Sequence, residues 1–326
     1  MTGMPDCVTS TFTEPEDFEA ALRVEGCLSM LITARGRFQA RLTRISLSEM
    51  RLSAAEERLP RIAFIAVPSD TVLILFSIGK ATAPVCGGIV INSGEFVALR
   101  PGTRCHARTS AACRWGMISL QAGQLISYGA ALTGAAFSLS HLTQHWQPRF
   151  LAGNNLRSLH AAAIRMAAKC PQTLRSPDAA HGLEQQLLHA IVACLSEGSA
   201  NGDIPADCRD QNIMIRFEQL LQSKQSKQAS MAEICEMLHV SDRHLRRLCT
   251  RHLAMSPRSY DRLRRMSLAR RHLRRSLPGS IAVSAVARLY GFRDPGRFAV
   301  NYRAIFGESP SETLRGAVRF GRMTEL

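Results

Sequence analysis

Apolar positions along this chain keep two rhythms, one after the other. From Arg37 to about Leu120 they follow the texture of strands. Arg61–Val67 and Thr71–Ile78 are rich in Ile, Val and Phe, with Pro68-Ser69-Asp70 supplying the turn between them. Gly87–Asn92 and Glu95–Leu99 flank Ser93-Gly94 and read as a hairpin, closed by Arg100-Pro101-Gly102. Trp115–Leu120 reads as a further strand. Short strands at regular spacing predict a small barrel or sandwich. Ahead of them, residues 1–36 are weakly patterned, with a helix around Glu16–Leu22.

From Gly123 onward the rhythm becomes helical. Asn155–Lys169 is Ala-rich, Cys170–Asp178 with Pro171 and Pro177 reads as a loop, and Gly182–Ser196 is a second helix. In the latter, Leu183, Leu187, Leu188, Ile191, Val192 and Leu195 form a stripe. Its width fits a dimerisation seam and packing within the chain equally well. Gly198–Asp210 is punctuated by Gly, Asp and Pro and reads as a linker.

The last third holds the clearest pattern. Val283, Val286, Ala287 and Tyr290 fall at i, i+3, i+4, i+7, one apolar helical face. Gly291 permits the positive φ that breaks this helix, and Phe292 fills the corner. Asp294 is a good N-cap, Pro295 suits a first turn, and Gly307 stops the next helix after Phe306. Phe298, Tyr302, Ile305 and Phe306 give that helix a buried stripe. Two helices joined by a tight Gly turn are a helix-turn-helix, whose second helix commonly enters a DNA major groove.

The unit is duplicated. Met231, Ile234, Cys235 and Leu238 repeat the first stripe at an offset of 52 residues. Ser241, Leu245 and Ser256-Pro257 repeat Asp294, Phe298 and Ser309-Pro310 at an offset of 53. Between the copies, Pro257–Ser276 reads as a long helix with Tyr260, Leu263, Met266 and Leu273 on its apolar side.

The residues Ala287, Tyr290-Gly291-Phe292, Asp294, Phe298, Phe306-Gly307 and Ser309-Pro310 together resemble the signature of the AraC/XylS family of bacterial transcription regulators. The resemblance covers roughly the last third of the chain. It implies an N-terminal barrel that serves as effector or regulatory domain, a match resting only on strand order and texture. It also implies that the positions of Arg243, Arg246 and Arg247 reach base edges.

Those three arginines, with Thr250 and Arg251, make one continuous basic face at i, i+3, i+4, i+7, i+8. A planar guanidinium can bond guanine O6 and N7 together, so the face suits base reading; the alternative is that it only neutralises phosphates. In the second copy the matching positions are Gly296, Ala299 and Val300, none of which can donate to a base. Arg293, Arg297 and Arg303 lie off the equivalent stripe and are expected to contact phosphate, with Ser241, Thr250 and Arg251 as the secondary contacts of the first unit. Sequence reading is therefore expected to be lopsided. Arg262, Arg264, Arg265, Arg270, Arg271, Arg274 and Arg275, on the connecting helix, read mostly as a solvated face.

Charge changes the picture only by its placement. Residues 211–326 hold 22 Lys and Arg against 9 Asp and Glu, whereas the remainder holds 19 against 17. A near-neutral body with a basic end is the footprint of a nucleic-acid-binding domain rather than of a membrane-surface protein. The ten cysteines show no CxxC pair and no zinc spacing, and read as reduced core residues. His106 stands alone in the strand region and reads as a loop histidine rather than a metal ligand. The acidic start lacks a signal-peptide pattern, and no apolar run reaches membrane-span length.

The sequence therefore predicts an α+β chain in three parts. Residues 1–145 form a small cupin-like β-barrel regulatory domain, 146–210 a helical connector and linker, and 211–326 an all-α domain with two helix-turn-helix units. The expected role is that of a cytoplasmic, effector-gated, sequence-specific transcription regulator without enzymatic activity, cofactor or metal. Its expected partners are double-stranded DNA and an unidentified small-molecule effector, with RNA polymerase and a homodimer left open and no membrane. Rival readings are an architectural DNA binder and a DNA-modifying protein using the same module. The second needs an activated cysteine or a metal cluster, and the sequence displays neither.

Overall fold

The computed structural model describes residues 5–79, 82–134, 136–139, 145–197, 199–200, 208–223 and 229–316. The chain divides into two compact units, Met1–Met30 with Phe38–Cys208, and Leu31–Arg37 with Arg209–Leu326. Most of the expected Gly198–Asp210 linker lies outside the described residues, and Cys208 already begins a helix.

The first unit is built on two sheets. Its strands are β1 (Asp6–Phe12), β2 (Cys27–Ile32), β3 (Ala40–Ser46), β4 (Met50–Glu57), β5 (Arg61–Ala66), β6 (Thr71–Ser77) and β7 (Val85–Cys86). They continue as β8 (Ile89–Val90), β9 (Phe96–Leu99), β10 (Arg104–Arg108), β11 (Cys113–Gln121), β12 (His145–Gln147) and β13 (Ser199–Ala200). One sheet runs β1-β3-β4-β11-β6-β9-β12-β13 and the other β2-β5-β10-β7-β8. Among the described residues these are two ladders rather than one hydrogen-bonded ring. The first 36 residues contribute β1 and β2 around helix α1 (Pro15–Leu22), more structure than their weak pattern suggests.

The expected Gly87–Leu99 hairpin is not formed. Ser93-Gly94 does turn the chain, with Glu95 N–H donating to Asn92 O at 3.1 Å. It passes the chain between sheets, however, because β8 pairs with β7 and β9 with β6 and β12. The hairpin turns six residues earlier. Gly87 and Gly88 join β7 to β8, with φ of 59° and 82°, the pair of positive values that a two-residue type I′ turn demands.

Alternation along the strands divides the first sheet into two faces. Ile74, Phe76, Ile118 and Leu120 point into a core shared with Leu156 of α3 (Phe150–Lys169) and with Leu187, Leu188 and Ile191 of α5 (Pro177–Glu197). The α5 stripe packs inside its own unit: Leu187, Leu188, Ile191 and Val192 are buried, and Leu183 and Leu195 are partly buried against the same core. Helix α2 (Ala122–Thr133) follows β11, and a short α4 (Pro171–Arg175) occupies the stretch read as a loop. Its Pro171 and the Pro177 of α5 stand at helix starts, where a missing N–H costs nothing.

On the opposite face Trp115 and Met117 turn towards Arg61 and Ala63 of β5 and close a cavity of about 50 Å³ between the sheets. Buried ion pairs stiffen this side. Arg61 Nε donates to Glu57 at 2.6 Å, and Trp115 Nε1 donates to the same carboxylate. Arg44 grips Glu25 through Nε and Nη2 at 2.6 and 3.0 Å, and Ser53 Oγ adds a third donor at 3.0 Å. His106 is not a loop residue. It lies within β10, buried, its ring 4.9 Å from that of Phe64.

The second unit is helical: α6 (Cys208–Gln222), α7 (Met231–Leu238), α8 (Asp242–Leu253), α9 (Pro257–Arg275), α10 (Val283–Leu289), α11 (Pro295–Phe306) and α12 (Pro310–Gly316). Helix α9 buries Tyr260 and Leu263 in its first half. Its second half puts Met266, Ala269 and Leu273 in one core with Val286, Ala287, Phe298 and Tyr302. One continuous helix therefore ties the two repeats together.

Candidate nucleic-acid interface

The repeats agree down to their caps. Ser241 Oγ accepts from His244 N–H at 3.2 Å at the start of α8, and Asp294 Oδ1 accepts from Arg297 N–H at 3.0 Å at the start of α11. The preceding helices end alike. Val240 N–H donates to Cys235 O at 3.1 Å, and 52 residues later Phe292 N–H donates to Ala287 O at 2.9 Å. Each turn needs a left-handed residue. The second copy uses Gly291 at φ 77°, while the first places His239 there at φ 55°. Phe292 does fill its corner, packing on Phe298 with ring centroids 4.9 Å apart.

Helix α8 buries Leu245, Leu248, Cys249, His252 and Leu253. The opposite face leaves Arg243, Arg246, Arg247, Thr250 and Arg251 exposed, together with the cap Ser241. The structure thus brings together all the residues expected of the first unit. Two contacts on this face went unseen in the sequence. Arg246 Nε pairs with Asp242 Oδ2 at 2.8 Å, an exposed i,i+4 pair worth at most about 1 kcal/mol and so readily exchanged for another acceptor. His244 Nε2 lies 2.9 Å from Asp210 Oδ1, joining the first turn of α8 to α6. A partner 34 residues away leaves no local signal.

Helix α11 buries Phe298 and Tyr302 and leaves Arg293, Arg297 and Arg303 exposed around it. Where the first copy carries its three arginines, Gly296 is exposed, Ala299 half-buried and Val300 70% exposed.

The arginines of α9 depart from the expected solvated face. Arg262 and Arg275 are exposed, but Arg264, Arg265, Arg270, Arg271 and Arg274 are half-buried. Arg264 donates to Glu218 Oε1 at 3.2 Å and to Leu221 O at 2.7 Å. Arg265 pairs with Asp261 at 2.8 Å and lies over the Phe292 ring. Arg270 pairs with Glu308 at 3.2 Å and covers Phe306. Their aliphatic stems and planar heads pack the domain. Much of the basic count in this third is therefore structural.

In the first unit the cavity is lined mainly by apolar groups, with Arg61 and Arg108 at its wall. Cys86 and Cys105 lie with their sulfurs 3.6 Å apart, and both are free thiols. Burial pushes the Cys27 thiol up to about 12, which leaves it unreactive. Among the described residues no three His, Cys, Asp or Glu come together as a metal site, and no helix is long and apolar enough to cross a membrane.

Residues 234–316 match a helix-turn-helix domain family. The C-terminal stretch is similar to the XylDLEGF operon transcriptional activator of Pseudomonas putida, 34% identical over 100 residues, which are 31% of each protein. It is also similar to a probable thc operon regulatory protein of Rhodococcus erythropolis, 35% identical over 95 residues, or 29% of each. The chain thus aligns with about a third of the length of these curated relatives. Among solved structures, the AraC-like transcriptional activator CuxR is 14% identical, with a TM-score of 0.42 over 81% of this chain and 95% of that one. A probable AraC family transcriptional regulator from Rhodopseudomonas palustris is 27% identical over 32% of this chain and 97% of its own, with a TM-score of 0.30. The duplicated caps and the matched domain agree: residues 234–316 form a helix-turn-helix domain, similar to that of the XylDLEGF operon transcriptional activators.

Proposed function

We propose that this chain is a sequence-specific DNA-binding transcription regulator whose first recognition helix, α8, reads bases and whose second helix-turn-helix unit mainly anchors it. The observation that carries the reading is the exposed face of α8. Arg243, Arg246, Arg247, Thr250 and Arg251 stand opposite a fully buried apolar side, on a helix capped at its N-terminus by Ser241. That is the geometry by which a recognition helix offers guanidinium forks to guanine edges. Arg293, Arg297 and Arg303 take phosphates. Because α9 ties the repeats together, the two units address successive major-groove segments about 34 Å apart.

The first unit supplies regulation on this reading. An effector bound in this unit would gate DNA binding through its differential affinity for two states of the chain. A homodimer would use a surface other than the α5 stripe. Contact with RNA polymerase and residence in the bacterial cytoplasm belong to the same reading.

The test is duplex binding against salt, using the full chain and the fragments 1–200 and 209–326. Neutralising about six phosphates gives a log–log slope near −5, through counterion release. Affinity should reside in 209–326 and be absent from 1–200. Affinity found in 1–200 contradicts the assignment.

A further inference from the structure

The second recognition helix carries an exposed apolar strip that its own fold does not use. Val300 is 70% exposed, although a β-branched side chain favours neither a helix nor water. Gly296, one turn earlier, is exposed and helical, and its φ lies outside the left-handed range. A Cβ there would meet only Asp294 Oδ1, at 3.3 Å. The backbone conformation does not demand glycine here; a Cβ would crowd the oxygen that caps Arg297 N–H, and its absence both spares the cap and leaves the first turn of α11 bare for close approach. Around the strip stand three exposed arginines, Arg293, Arg297 and Arg303, which suit a polyanion.

We propose that the second helix-turn-helix unit reads its DNA segment through methyl contacts, with Val300 packing on the 5-methyl of thymine and Gly296 letting the start of α11 lie deep in the groove. The inference rests on the DNA-binding reading above. The occupant follows from position. Gly296, Ala299 and Val300 repeat Arg243, Arg246 and Arg247 at the 53-residue offset, so the same docking that turns those arginines to base edges turns this strip to them. In the major groove the thymine methyl is the apolar feature, and the side chains that meet it are apolar ones. This half of the operator is then selected as T·A pairs by fit, without donated hydrogen bonds.

The test uses the full chain on a duplex obtained by selection from random sequence. Each thymine is replaced in turn by deoxyuridine, which keeps the base pair and deletes only the methyl. Deleting the methyl under Val300 should weaken binding about fourfold, the value of one buried methyl-sized group. In Val300→Ala the same replacement should cost about nothing, and the selected thymine preference in that segment should flatten. Site-specific binding with no uracil effect that depends on Val300 overturns this inference and leaves the DNA-binding reading standing. Absence of any sequence-selective binding removes both. If Val300→Ala binds every duplex as the parent does but loses transcription activation, the strip faces a protein and the inference fails.

Discussion

Tyr260 donates its phenolic hydrogen to Glu218 Oε2 at 2.7 Å, in a place where neither side chain meets water. Arg264 completes the site from the next turn of α9, its Nε 3.2 Å from the other carboxylate oxygen. Helices α6 and α9, separated by the whole first helix-turn-helix unit in sequence, are thereby held by a charged bond inside the fold. Burial and the adjacent carboxylate both push the Tyr260 hydroxyl well above its usual pKa, so it remains a donor at every working pH. Replacing Tyr260 with Phe should cost about 1.5–3 kcal/mol, as for a hydrogen bond to a charged group. Arg264→Ala should cost about 3–5 kcal/mol, because it strips the counter-charge from a buried carboxylate. Urea unfolding of the two variants checks the order.

Stability of the first unit should depend on pH through His160. Its ring is buried against Phe76, with Nε2 3.1 Å from Ser53 O, and burial holds its pKa down to about 4. The unfolded chain protonates near 6.5, so between those values it binds more protons than the folded one. Stability is therefore complete above pH 6.5 and falls as the pH drops towards 4, by up to roughly 3 kcal/mol. His160→Gln keeps a donor for Ser53 O without the titration. Its unfolding midpoints at pH 7.5 and pH 5 should lie closer together than those of the parent.

Ser241 has two separable roles. As the N-cap of α8 it contributes about 1 kcal/mol, which Ser241→Ala should lose and Ser241→Asp should keep. On DNA the order should reverse for aspartate, whose charge would face phosphates at the head of the recognition helix. Thermal midpoints and duplex affinities of both variants, taken at one salt concentration, separate the roles.

What the sequence made legible is what lies close together along it. The cap residues Ser241 and Asp294, the turn at Gly291 and the stop at Gly307 act over three to six residues, and the structure has each of them in place. Strand partners are chosen across tens of residues. The Ser93-Gly94 signal was therefore real, yet silent about which sheet β9 would join. Arg264 looked like surface because its partner, Glu218, lies 46 residues earlier. His106 looked like a loop residue because the Pro101-Gly102 turn precedes it, although β10 takes up the chain at Arg104 and buries it. Pro171 and Pro177 looked like loop punctuation because a proline marks a helix start as readily as an interruption.

The central claim is that this protein reads DNA sequence chiefly through the exposed face of α8. Binding-site selection on randomised duplex, run in parallel with the parent, Arg246→Ala, Arg247→Ala and Arg297→Ala, tests it most directly. Arg246→Ala and Arg247→Ala should each lose about 1–3 kcal/mol on the selected site and relax one or two base pairs of the motif. Arg297→Ala should weaken binding to all sequences nearly alike and leave the motif unchanged, because a phosphate contact carries no base information. A motif reshaped by Arg297→Ala and left intact by Arg246→Ala and Arg247→Ala would contradict this and place the dominant reading helix in the second unit.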